Sequence, residues 1–354
     1  MIELKRDNLL FTFPEVHPNA NLSINFQRTL RIPDDDKNYP LPPGLGSFPV
    51  RHVDNFTEKV PEQWIERGGV MFPMRQSEAM WITFNSVQAT TEKGWDKFEP
   101  LDGEYPFAVK VATGKINAVT GEPWENSLHK NPQDYLVVPD QPWLDGYCVE
   151  KGIIRQFVAM PLGSGYTAEE QITGEAEHGG LQIIVYPMKA DKYEKLMSER
   201  SSYRLSLEEP LEDVSPSIDY CVNFDMGLAP GGKMQQEIYE DEYGKYSWDL
   251  KHSSRCFVHI NNSHAWQSIT GEEPPGIPLT AKEYSENGMP WFDYYDEKAS
   301  SLSGSKKLSN LKSITEKAKE KRDDPLPENE SANPKHVIKI RKGLKKNQVR
   351  EGSF

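Results

Sequence analysis

The apolar positions of this chain come in short runs separated by turn residues. Leu22, Ile24, Phe26, Leu30 and Ile32 share one face for most of that stretch, with Arg28 and Arg31 off it, which predicts a half-buried strand. Tyr105–Ala112, the turn Thr113-Gly114-Lys115 and the returning Ile116–Val119 predict a hairpin. Three further runs, Tyr135–Val138, Ile153–Met160 and Leu181–Tyr186, lie in one stretch from Asp134 to Met188 and predict core strands. Met80–Phe84 and Arg255–Ile260 read as strands, and Tyr220–Phe224 and Ile238–Tyr239 as shorter ones flanking a Gly/Pro loop at Met226–Lys233.

Helical spacing is rarer. Ala190, Tyr193, Leu196 and Met197 recur with charges between them, so Lys189–Arg200 is predicted as a helix on a sheet face. Pro61–Arg67 reads as a short turn of helix stopped by Gly68-Gly69. Thr280 and Glu283 form a capping-box pattern, with Gly288 as the stop. The pattern predicts a mainly β protein: a sandwich or barrel-like core of short strands with a few short helices. An α+β fold with one mixed sheet is the alternative.

Prolines from Pro14 to Pro49 remove backbone donors and fix φ, so residues 1–60 are expected to form a strand followed by a wrapping arm. Residues 61–299 are expected to form the β-rich core domain. From residue 300 the composition shifts: Ser-Leu-Ser-Gly-Ser reads as a linker, Leu308–Lys321 as a solvated helix and Val337–Ile340 as a last strand, so 300–354 is expected to be a tail. Composition adds that the core rests on aromatics: eight Trp, fifteen Tyr and fourteen Phe compensate for an apolar content of 36%.

Charge changes the picture more. Of the 41 Lys and Arg, 14 fall in residues 305–354, with 7 of the 54 Asp and Glu, so that segment carries +7 and the preceding 304 residues −20. An acidic body argues against nucleic acid as a partner. The basic tail is expected to fold back on the body or onto a second copy, which makes a homo-oligomer through arm and tail one expectation. No apolar run reaches the roughly 20 residues of a membrane span, and no export signal is legible at the N-terminus, so the expected location is the cytoplasm. Cys148, Cys221 and Cys256 lack paired or metal-ligand spacing and are expected as buried thiols. No cofactor motif is present: Gly227–Lys233 lacks the phosphate-loop pattern because Met234 stands where a hydroxyl is required.

Two constellations carry the candidate chemistry. Between the second and third apolar runs of the 134–188 stretch lie Glu169, Glu170, Gln171, Glu175, Glu177 and His178. Carboxylates beside an imidazole suit acid–base work on a glycosidic bond or a divalent cation, with Glu170, Glu175, Glu177 and His178 as the catalytic candidates. A solvated acidic loop between core strands is the plainer reading, and no metal-site spacing is matched. The second constellation is Trp143, Asp145, Arg155 and Gln156, a candidate ligand-binding set. Arg155 interrupts a buried run and requires an anionic partner, either a ligand or an internal acid such as Asp145. Cys148, His259 and Ser164 read as structural. The aromatic, acidic segment from Gly288 either lines a groove or docks the tail. Thr-Gly-Glu recurs at 120–122, 173–175 and 270–272 and reads as a reused turn. Two functions follow: a non-catalytic module for binding or self-assembly, or an enzyme or carbohydrate binder working through the 169–178 loop.

Overall fold

The computed structural model describes residues 1–87, 104–201, 225–295, 299–324 and 329–341. The protein is mainly β with few helices. Strands β1 (Ile2–Lys5) and β2 (Asn8–Thr12) form a hairpin that leads into β3 (Asn21–Thr29). The arm carries β4 (Asn38–Tyr39), β5 (Gly44–Ser47) and β6 (Arg51–His52). Helix α1 (Glu62–Arg67), β7 (Val70–Met74) and β8 (Ala79–Ser86) follow, then β9 (Phe107–Thr113) and β10 (Ile116–Asn117). The central stretch supplies β11 (Leu136–Val138), β12 (Trp143–Leu144), β13 (Gly146–Glu150), β14 (Ile153–Pro161), α2 (Ala168–Thr173) and β15 (Leu181–Pro187). Next come α3 (Ala190–Ser201), β16 (Asp225–Gln235), β17 (Ser254–Asn262), α4 (Ser263–Thr270), α5 (Ala281–Glu286) and β18 (Trp291–Tyr295). The tail holds α6 (Lys306–Ser309), α7 (Ile314–Lys321) and β19 (Val337–Arg341).

Hydrogen bonding runs antiparallel through β2, β3, β8, β14, β16, β17, β15, β9 and β11. Several strands change partner along their length. On one edge β8 bonds β14 through Met80 and Ala79, then β12 through Ile82 and Thr83. Such switches let a sheet curl. Here it curls until its distant strands face each other: Phe13, just past β2, packs 6.1 Å from Phe107 of β9, and the Ser86 hydroxyl donates to the Tyr105 carbonyl. One continuous core fills the inside, with Leu22, Ile24, Phe26, Val109 and Ile183 all buried in it. Of the strands predicted from the 134–188 stretch, β14 and β15 lie inside this order and β11 at its end.

The structure differs from the sequence reading in several places, and Ile238–Tyr239, expected as a short strand, makes only an isolated bridge from Tyr239 to Ser301. Met226–Lys233 is not a loop but part of the eleven-residue strand β16. Its glycines serve close packing: a side chain at Gly232 would collide with the Pro33 carbonyl of the arm, and one at Gly231 with Val158. Tyr220–Phe224, the strand expected before it, lies outside the described residues. The tail helix is two helices, because Ser313 caps α7 with Glu316 and restarts the chain direction. Nor is it solvated on all sides, since Leu308 and Ile314 are both 1% exposed or less. Finally, Arg28 and Arg31 are buried rather than solvent-facing. Arg28 pairs with Glu78 at 2.8 Å, and Arg31 lies beside Ile314 and Ala318 of α7.

The three Thr-Gly-Glu segments share one local geometry. In each, the Glu amide donates to the Thr hydroxyl two residues back, at 3.0–3.3 Å, across a glycine of φ 72–78°. Gly174 and Gly271 end helices, while Gly121 follows a hairpin. The motif is a turn used three times in different settings.

Candidate functional site

The Glu/His segment folds as a capped helix, not as a strand-turn-strand loop. Thr167 caps α2 and Glu170 closes the capping box, with one Glu170 oxygen also taking the Gly165 amide at 2.6 Å. Glu169, one residue earlier, is buried. Its Oε1 accepts the His178 amide at 2.9 Å and lies 2.9 Å from His178 Nδ1, and its Oε2 accepts the Gly179 amide at 2.9 Å. Gly114 lies flat against this carboxylate, where no side chain would fit. Glu175 and Glu177 are exposed. Of the four catalytic candidates, His178 therefore pairs with buried Glu169 through Nδ1 and lies 3.6 Å from the exposed Glu177 carboxylate through Nε2, Glu170 belongs to a helix cap, and Glu175 lies on the surface. Among the described residues no group of three or more His, Cys, Asp or Glu is placed to hold a metal ion.

Arg155 and Gln156 bind the chain's own arm. The Gln156 side chain accepts the Ile32 amide at 2.7 Å and donates to the Leu30 carbonyl at 2.9 Å. The Arg155 guanidinium donates to Asp34 Oδ1 at 3.4 Å and to the Gly231 carbonyl at 3.2 Å, with Glu316 of α7 at 3.9 Å. Asp34 Oδ2 in turn accepts the Thr315 amide at 3.1 Å. Asp34, not Asp145, is thus the acid that answers Arg155, and the pair joins body, arm and tail.

Trp143 and Asp145 do line a cavity, an aromatic cleft of about 220 Å³. Its walls come from three distant segments. Trp143 of β12 pairs with Thr83 of β8, so it falls diagonally across from Trp81 on the same face. The two indoles are 6.1 Å apart and nearly perpendicular, at 87°. Phe292 and Tyr294 come from one face of β18, and Tyr294 stands 4.7 Å from Trp143 at 60°. The arm closes the third side with Leu41, Pro42, Pro43 and Gly44. It is held there by reciprocal backbone bonds between Leu41 and Phe292 at 2.8 and 2.9 Å. The aromatic segment after Gly288 therefore both lines a groove and receives the tail, since β18 pairs in parallel with β19.

Asp145 is the buried polar group of the cleft, 3% exposed. Gln236 donates to its Oδ2 at 2.8 Å. Burial pushes its carboxyl up to about 7, against hydrogen bonds from Trp143 and Gln236 that pull the other way. The next residue, Gly146, opens β13 and packs on the Arg155 carbonyl with no room for a side chain. A carboxyl raised in the fold keeps a proton that the unfolded chain has lost, so its share of stability falls as pH rises from about 4 to 7. Asp145→Asn is expected to gain up to about 4 kcal/mol over the native chain at pH 8 and nothing at pH 4, as read by chemical denaturation at both values.

The remaining candidates are structural. Cys148 and Cys256 are buried thiols pushed up to about 12 by burial, and Cys221 lies outside the described residues. His259 stacks on Trp64 at 4.5 Å, lies 3.0 Å from the Gly68 carbonyl through Nε2, and is lowered to about 4 by burial. The Ser164 hydroxyl bonds the Pro161 carbonyl. Two wider depressions of about 560 and 570 Å³ exist. On the rim of the first, Lys307 pairs with Glu122 and Lys130 donates to the Asp241 carbonyl. Sequence reading missed Trp81, Tyr294 and the 41–44 wall. Only the aromatic density after Gly288 hinted at them.

The fold and the cleft together define a mainly β protein with an aromatic cleft on its surface. Comparison of the chain with protein-family models, with curated proteins and with solved structures finds no match.

Proposed function

We propose that this protein is a non-catalytic binding module whose ligand seats in the aromatic cleft. The observation that carries the reading is the convergence of Trp81, Trp143 and Tyr294 on a cavity floored by one buried carboxyl. Apolar walls with few polar groups are what small-ligand sites have in common. Catalysis through the 169–178 loop has less support, because Glu169 and Glu170 already hold backbone amides. Self-association through arm and tail also has less support, since both are bonded to each other within one chain. Among the described residues no helix is long and apolar enough to cross a membrane. Together with the two buried thiols, this favours a soluble cytoplasmic protein.

A fragment library screened by ligand-observed NMR tests the reading. Hits on the native chain are expected to be lost in Trp143→Ala, with the fold checked by circular dichroism. Hits that persist in that variant, or a native chain that yields none, would overturn it.

A further inference from the structure

We propose that the ligand of this cleft is a small quaternary or fully methylated ammonium compound, an inference that rests on the binding reading above. The first argument is shape. The ring planes meet at 87° and 60°, forming the walls of a box and not the flat platform on which a sugar ring stacks. A cation inside such a box meets the negative faces of several rings at once, and its methyl shell buries against them. The second argument is charge. Asp145 has polar partners in Gln236 and Trp143, but among the described residues no Lys or Arg pairs with it. A buried carboxylate without a cation is costly, and a ligand cation supplies the missing charge. The third is polarity. One buried carboxyl does not meet the several hydrogen-bonding needs of a sugar or a primary ammonium, whereas a methylated ammonium has no N–H to satisfy. The fourth is size. About 220 Å³ is below the roughly 300 Å³ at which pockets for larger ligands begin, so the cleft suits a head group. The body's net −20 also concentrates cations around it.

The test is titration of the full chain with choline, read by calorimetry and tryptophan fluorescence, beside its neutral isostere 3,3-dimethylbutan-1-ol and beside glucose. Choline is expected to bind at least about tenfold more tightly than the isostere. Trp81→Leu and Tyr294→Leu, on separate walls, are each expected to weaken it about tenfold, so the result does not hang on one variant folding. Asp145 is faced by the Trp143 indole and the Gln236 amide, which do not titrate, and of the other lining side chains only Tyr294 carries a titratable group. Choline affinity is therefore expected to rise about tenfold from pH 6 to pH 8 as the carboxyl ionises, and to stay flat in Asp145→Asn. Equal binding of choline and the isostere would overturn the cationic class while leaving the cleft a binding site. Glucose binding lost in Trp81→Leu, with no response to choline, would do the same. A fragment screen with no hits at Trp143 would remove the binding reading itself.

Discussion

A chain ended after residue 299 is expected to lose most of its stability. The tail buries Leu308 and Ile314 almost completely, and Leu311 to 6% exposure. Each such side chain contributes about 1.5–3 kcal/mol when fully buried. Three of them therefore approach the roughly 5–15 kcal/mol by which a whole domain is stable, before the ordering cost of the tail is subtracted. Truncation also strips Asp34 of the Thr315 amide, Tyr39 of Ala332 and β18 of its partner strand. Single substitutions separate these terms. Leu308→Ala and Ile314→Ala are each expected to cost about 2–5 kcal/mol in urea unfolding, because both sites are closed on every side. A truncated chain that melts where the full chain does would show the tail to be an ornament on the fold.

Glu169→Ala is expected to be the most damaging single change in the acidic segment, by about 3–5 kcal/mol. It leaves the His178 and Gly179 amides buried without an acceptor and takes the carboxylate away from His178 Nδ1. Glu169→Gln keeps the shape and one acceptor oxygen, so a smaller loss is expected. Glu175→Gln and Glu177→Gln, both at exposed positions, are expected to stay within about 0.5 kcal/mol of the native chain. Denaturant midpoints for the four variants give the order. A Glu169→Ala protein as stable as Glu175→Gln would mean that the amides find water instead.

Much of the sheet was legible because its strands are apolar runs closed by turn residues. Ile153–Met160 and Leu181–Tyr186 appear in the structure within a residue of where the pattern ends them. The helix capped by Thr280 was legible for a local reason too, since its signal lies within four residues. β16 was hidden because its glycines are read by composition as a loop, while their role is set by Pro33 and Val158, far away in the chain. The tail's helical stretch, its last strand and its return to the body were legible, but which of its positions are buried was hidden, because they are few among many lysines. The cleft was half legible. Trp143 and Asp145 share one turn-rich stretch, but Trp81 and Tyr294 reach them only through the β8–β12 register and the docking of β18. The Glu169–His178 pair was not legible, because it forms only when the short helix α2 and the turn after it bring the two residues together.

The contact between Asp34 and Thr315 spans 281 residues, and it has a consequence for the order in which the protein is made. At roughly 5–20 residues per second, Asp34 leaves the ribosome about 15–55 s before its partner is synthesised. Through that interval the arm can settle on Gln156 and Arg155 once β14 has emerged, yet α7 does not yet cover it. Nascent chains thus carry an uncovered seam along Leu30–Asp34 until late in translation.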